Sequence, residues 1–175
     1  KSLGALAEIN SEMVSEAIEK EKLGRLTLDI DGSVITTGAS VAWAFRGFNP
    51  HHRKEPSYYP ILAHLAQTGH IVRVKNRPGN VHDSKGAVAF MRDLIEDLRR
   101  RLGSSLPLEF RMDGAFFQKQ IIELLERRKA GYAVKVPFFK WLGLLPLIRE
   151  RQRWQPLGEG LGCFELSLDV APWEK

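Results

Sequence analysis

Residues 25–33, RLTLDIDGS, decide the fold. Leu26, Leu28 and Ile30 fall on one side of an extended chain and Thr27, Asp29 and Asp31 on the other, the two-residue period of a half-buried strand. Upstream, Leu6, Ile9, Met13, Ala17 and Ile18 recur at helical spacing, so an amphipathic helix is expected from Leu6 to about Lys20, broken at Gly24. Downstream, SVITTG (33–38), the alternation from Val41 to Phe45, and HIVRVKNRPGN (70–80) are each flanked by glycine, proline or asparagine, which predicts an antiparallel meander. The intervening stretch 47–69 is rich in proline and polar residues and reads as a long hairpin loop with one strand edge.

Beyond the meander the period changes. Asp83 and Ser84 are candidate caps for a helix carrying Val88, Met91, Leu94, Ile95, Leu98 and Leu102, which Gly103 ends. LPLEFRMDG (106–114) is a short strand. A helix with Ile121, Leu124 and Leu125 facing inward follows, with Gly131 as its expected stop, and YAVKVPFF (132–139) is a further strand. Helices joining successive strands require those strands to be parallel, so the pattern is α/β: a three-strand antiparallel meander extended by parallel strands. From about Phe138 the chain changes character, through Trp141, Leu142, Leu144 and Leu145 to RERQRW, a glycine-rich LGEGLG and the alternating CFELSLDV, as if a smaller β-rich insertion were beginning. The expected organisation is an N-terminal helix over 1–24, a core over 25–137 and the insertion over 138–175.

The 175 residues are 43% hydrophobic and 27% charged, the size and balance of one ordinary globular domain. The formal charge of +5 and pI near 9.5 favour a polyanionic partner. One cysteine allows neither an internal disulfide nor a multi-thiolate zinc site, which points to a reducing compartment. No apolar run approaches the roughly 20 residues of a membrane helix, and the expected location is the cytoplasm. The start KSLGALAEINSE has no initiator methionine, as in a chain cut from something longer.

Two acids stand out through topology. Asp31 closes the first strand, and Asp113 closes the strand entered through the long helix. A right-handed crossover makes these strands parallel, and ligands of such sheets collect at the carboxyl ends where the strand order reverses. Two carboxylates meeting there repel unless one is protonated or a cation lies between them, and hard oxygen donors suit Mg2+ or Mn2+. The plain alternatives are a hairpin turn at Asp31-Gly32 and a helix N-cap at Asp113-Gly114.

The strand end Asp31-Gly32-Ser33, the loop Arg77-Pro78-Gly79-Asn80-Val81-His82-Asp83 before a helix, and Arg111-Met112-Asp113-Gly114-Ala115-Phe116 leading into another together resemble the DDE domain of bacterial insertion-sequence transposases, in the branch whose ribonuclease H-like fold is interrupted by a β-rich insertion. The resemblance spans roughly Arg25 to the end of the chain. It implies a ribonuclease H-like mixed sheet with flanking helices, present in part, with Asp31 and Asp113 as catalytic, metal-binding acids and Asp29 as an auxiliary. It further implies Mg2+ (or Mn2+), double-stranded DNA as partner and substrate for cleavage and strand transfer, a homodimer at full length, and nucleoid association. The family's third acid, a glutamate on a helix after the insertion, has no match here: Glu165 and Asp169 lie in strand-like surroundings and Glu150 in a basic run. The chain is therefore expected to be a fragment, inactive alone and lacking the usual N-terminal DNA-binding part.

Arg73, Lys75 and Arg77 share a strand face and are candidate DNA contacts, as are Arg151, Arg153 and Trp154, where guanidinium and indole alternate. For the second group a solvated edge strand is the plainer reading. The arginines ending both helices, Arg99 to Arg101 and Arg127 to Lys129, have a dipole reason to be there. His51 and His52 are adjacent and point apart in an extended loop, Cys163 is a small apolar strand residue, and Gly158, Gly160 and Gly162 mark a turn. LDIDGS also resembles the haloacid-dehalogenase-like phosphatase motif, with Asp29 as nucleophile and Asp31 as acid and base, but a strand meander follows it instead of a helix. A third class is a DNA-binding transposase relic without catalysis.

Overall fold

A computed structural model describes residues 2–38, 41–47 and 54–167. In chain order these form α1 (Ser2–Glu21), β1 (Leu26–Gly32), β2 (Ile35–Thr36), β3 (Ser57–Tyr58), β4 (Ile61–Leu65), β5 (Ile71–Lys75), α2 (Ala87–Leu102), β6 (Leu108–Met112), α3 (Lys119–Arg127), β7 (Gly131–Val134), α4 (Leu144–Glu150), β8 (Gln155–Gly158) and β9 (Leu161–Cys163). The chain divides into two compact units, Lys1–Lys135 and Val136–Lys175.

The first unit is built on a five-stranded sheet in the order β5-β4-β1-β6-β7. β4 is antiparallel to both β1 and β5, whereas β6 runs parallel to β1 and β7 parallel to β6. A meander of three followed by two parallel strands, with β1 central, is the ribonuclease H-like arrangement. Alternation sends Leu26, Leu28 and Ile30 of β1, Ile61, Ala63 and Leu65 of β4, and Leu108, Phe110 and Met112 of β6 into one core, where Phe90, Met91, Leu94 and Ile95 of α2 and Ile121 and Leu125 of α3 close over them. Each such side chain contributes about 1.5–3 kcal/mol by leaving water. The reverse face of the sheet is polar, with Thr27 and Asp29 beside Glu109 and Arg111 in the parallel register.

Several elements differ from expectation. The middle strand of the meander is β4, from the stretch read as a long hairpin loop with one strand edge: Ile61, Ala63 and Leu65 alternate correctly, but the run is only five residues long and follows prolines at 56 and 60. SVITTG supplies β2, which pairs with β3 in a separate ribbon. Residues 41–45 form no strand, because Trp43 has a left-handed φ of 70° and only a single bridge joins Phe45 to Ser57. Asp83 and Ser84 do not cap α2, which starts after a left-handed Gly86 with no side-chain cap. Gly131 opens β7 rather than ending α3, whose reversal is made by Lys129 at φ 50°. In α1 the buried residues are Val14 and Ile18, while Leu6, Ile9 and Met13 remain exposed.

In the second unit, α4 runs to Glu150 and residues 151–154 precede a β8–β9 hairpin turning at Gly160, so the edge-strand reading of Arg151, Arg153 and Trp154 is also replaced. The turn reading of the glycine series agrees with the hairpin. Arg151 lies over the Phe164 ring, 4.8 Å from its centroid, and Trp154 meets the same ring edge-on at 4.7 Å. Among the described residues no helix is long and apolar enough to cross a membrane.

Candidate active site

The parallel pairing of Ile30 with Met112 places the next residues, Asp31 and Asp113, side by side where the two central strands leave the sheet, adjacent strands being about 4.8 Å apart. Asp31-Gly32 is not a hairpin turn: both residues remain in β1 and pair with Leu62 and Ile61 of β4. Asp31 Oδ1 accepts the Gly32 N–H at 2.8 Å. Asp113 is extended and does cap, its Oδ1 accepting the Ala115 N–H at 3.0 Å above a 3-10 turn over Gly114–Phe116. The Asp31 carboxyl is held above the usual carboxylate range, first by partial desolvation and then by the charges of Asp113 and Asp83, against the opposing pull of the Gly32 amide and His64.

Asp83, expected from the sequence only as a candidate helix cap, is the third acid near this edge. It lies at the end of the RPGN loop, whose anchor is Arg77. Arg77 is 6% exposed, and its guanidinium donates to the carbonyls of Tyr59 at 2.9 Å, Asp83 at 2.6 Å, Lys85 at 3.0 Å and His82 at 3.4 Å. Its Cζ also stands 5.4 Å from the centroid of the Tyr59 ring. The Tyr59 hydroxyl lies beside the Asp83 carboxylate, and burial together with that negative charge pushes the phenol well above its ordinary pKa. Both groups press on the backbone of Gly32: a Cβ there would stand 2.8 Å from Tyr59 Cζ and closer still to Asp83 Oδ1. Gly79 is pinned in the same way against the carbonyls of Ser57 and Phe45. Gly32→Ala is therefore expected to lower unfolding free energy by about 1–3 kcal/mol, the usual range for overpacking; urea denaturation measures it, and an unchanged midpoint would contradict the close approach.

The remaining candidates separate. Asp29, on the same face of β1 as Asp31, is gripped by Arg111, Nε to Oδ1 at 2.5 Å and Nη2 to Oδ2 at 2.6 Å, so both its oxygens are engaged. The expected trio on β5 is not a common surface: Lys75 is exposed, Arg73 donates to the Asp93 carbonyl at 3.4 Å, and Arg77 lies beyond the strand end in the interior. Burial removes Arg77 from the candidate DNA contacts, because a guanidinium bound to carbonyls cannot meet a phosphate. Arg151, Arg153 and Trp154 are exposed, with Arg151 Nε donating to the Arg153 carbonyl at 2.9 Å and the indole N–H to the Arg151 carbonyl at 3.2 Å. Helix-end arginines are engaged locally, Arg101 with Asp97 at 3.0 Å and Arg127 with Glu123 at 3.7 Å. Cys163 sits in β9, Glu150 ends α4, and Glu165 is exposed. His51, His52 and Asp169 lie outside the described residues.

Among the described residues no three His, Cys, Asp or Glu side chains are close enough to enclose a metal ion. The donor set at the sheet edge fits a cation all the same: two converging carboxylates and no soft ligand suit Mg2+, which commonly takes one or two protein carboxylates and keeps several waters.

Residues 1–142 match the family described as Transposase DDE domain group 1. No curated protein matches the chain. Among solved structures, the chain is similar to the catalytic domain of Mos1 mariner transposase, at 12% identity and a TM-score of 0.45 over 86% of this chain and 73% of that one. It is likewise similar to Mos1 transposase in a paired-end complex with the left transposon end, at 10% identity and a TM-score of 0.45 over 82% of this chain, where it spans about half, 52%, of the other's length. A piggyBac transposase synaptic complex with hairpin DNA gives 13% identity and a TM-score of 0.46 over 74% of this chain and 26% of that one.

Proposed function

The chain belongs to the Transposase DDE domain group 1 family, and from that premise we propose that it carries part of the catalytic core of a metal-dependent DNA transposase, with Asp31 and Asp113 as the acids that hold a divalent cation, Mg2+ or Mn2+, against a phosphodiester. The observation that supports this reading best is the parallel register of β1 and β6, which brings the two carboxylates together at the carboxyl edge of the central strands. When bound, the ion supplies Lewis acidity at a phosphoryl oxygen and a more acidic attacking water or 3′-hydroxyl. The residues themselves hold position. The Gly32 amide orients the Asp31 carboxylate and the Ala115 amide orients that of Asp113, so that both keep a fixed direction at the strand ends.

The substrate in this reading is double-stranded DNA at transposon ends and target, handled by a homodimer at the nucleoid of the cytoplasm. By itself this chain is expected to be inactive in strand cleavage, since two carboxylates secure an ion loosely. A phosphatase using Asp29 as nucleophile is disfavoured by the Arg111 fork, which occupies both oxygens that such a step requires free. A relic that binds DNA without cutting it differs from the proposal in one measurement, cleavage of transposon-end DNA by the intact enzyme.

DNA binding has its own test. The net charge of +5, with Lys75, Arg151 and Arg153 exposed, favours contact with phosphates rather than bases. The chain is expected to bind duplex DNA weakly, with affinity falling steeply between 50 and 200 mM salt (about tenfold or more), as neutralised phosphates release counterions. Binding that is insensitive to salt in a fluorescence-anisotropy titration would contradict it.

A further inference from the structure

We propose that Asp83 is a positioning residue of the Asp31–Asp113 site: fastened over Gly32 by Tyr59 and by the Arg77 loop, it supplies outer negative charge that draws a divalent cation to the sheet edge without ligating it. The proposal rests on the reading of Asp31 and Asp113 as cation-holding acids.

Stability does not account for Asp83. Its sequence position suggests a helix cap, yet α2 begins at Ala87 behind Gly86 and takes no side-chain cap. Its nearest cation, Arg77, commits its hydrogen bonds to backbone carbonyls, one of them Asp83's own, leaving Nη2 3.9 Å from Asp83 Oδ1. Both of those atoms are buried and without a hydrogen-bond partner. An ionic oxygen buried in that state is a liability to the fold, and such groups persist where a site uses them.

The local construction aims the carboxylate at the strand end. The Tyr59 ring end and hydroxyl flank it against the Gly32 backbone, Arg77 fixes the backbone of residues 82–85, and Gly32, the residue after Asp31, has no side chain to separate the groups. The field of Asp83 reaches Asp31 in the same sense as that of Asp113. A doubly charged ion placed at Asp31 experiences the same field with opposite sign and twice the strength. Outer carboxylates of this kind commonly alter metal affinity by about 10–100-fold.

The test is a Mn2+ titration of the 175-residue chain, with free Mn2+ read by electron paramagnetic resonance and the fold by circular dichroism. Asp83→Asn keeps the shape and removes the charge, and its Kd for Mn2+ is expected to rise about 10–100-fold with no fall in melting temperature. Tyr59→Phe keeps the ring under Arg77 and frees the carboxylate to swing, and its Kd is expected to rise about threefold to tenfold; this variant decides the matter if Asp83→Asn does not fold, unchanged affinity overturning the proposal. Asp31→Asn is expected to lose saturable binding. Loss in Asp31→Asn together with parental affinity in Asp83→Asn overturns the role of Asp83 and leaves the two-acid reading standing. Parental affinity in Asp31→Asn, or no binding by the parent, overturns both.

Discussion

Asp31→Asn is expected to abolish strand cleavage by the intact enzyme, at least about 1,000-fold in rate, while the folded core becomes no less stable and, at neutral pH, slightly more so. The two halves of this result have one cause. Asp31 ionises above the ordinary carboxylate range because its carboxyl is partly desolvated and lies near Asp113 and Asp83. A folded pKa above the unfolded one means that the native state binds the proton more tightly. The ionised carboxylate therefore costs stability at every pH above the folded pKa, and the cost vanishes as pH falls below the unfolded value. Asparagine removes the charge in nearly the same shape, so the wild type, and not the variant, should gain stability as pH falls through the raised carboxyl pKa toward the ordinary carboxylate range. Asp113→Ala is expected to abolish cleavage as well, but it also removes the cap on the Ala115 amide, so its melting temperature should fall by a few degrees. Cleavage assays on transposon-end DNA and melts at pH 7 and about pH 4, near the ordinary carboxylate pKa, measure both. Full activity in either variant, or a clear loss of stability in Asp31→Asn at neutral pH, would count against the arrangement.

What the sequence shows of this site and what it hides follow from the range of the interactions. β1 and Asp31 are legible because Leu26 to Ile30 alternate cleanly and the acid follows directly, and β6 with Asp113 because periodic helices flank it. Knowing that both strands are parallel leaves only the register to find. β4 is hidden because its alternation is short and follows directly on prolines, features shared by loops and edge strands. Asp83 and Tyr59 are hidden for a different reason: their meeting depends on Arg77 folding the loop back across 18 residues to the Tyr59 carbonyl, and no local period encodes a side chain bonding to backbone. Even the RPGN motif shows only that a turn precedes a helix. The exposed Leu6, Ile9 and Met13 of α1 show the converse failure, since a helical apolar stripe states that a surface is apolar and not that anything covers it.

Arg77→Ala is expected to destabilise the first unit by about 3–5 kcal/mol, the range for removing a buried charged group whose partners then stand unpaired. Four carbonyl acceptors, those of Tyr59, His82, Asp83 and Lys85, lose the guanidinium at once, with only that of His82 keeping a second donor, the Lys85 N–H, and the half-buried Asp83 carboxylate loses its nearest positive charge. For a domain of this size the melting temperature should drop by about 10 °C or more. Arg77→Lys should recover only a minor part of the loss, because an ammonium group cannot span several carbonyls with a planar fork or stack on the Tyr59 ring. A surface arginine placed to meet DNA gives the opposite pattern: its alanine variant would melt as the parent does, and its lysine variant would restore binding. Guanidinium loss should also loosen the Gly32 contact, because residues 82–85 then have no anchor to hold Asp83 over the strand end. Amide exchange in Gly32 and Ser33 is accordingly expected to quicken in Arg77→Ala under native conditions, beyond what the lowered global stability accounts for, and parental protection there would show that the loop does not brace the acid.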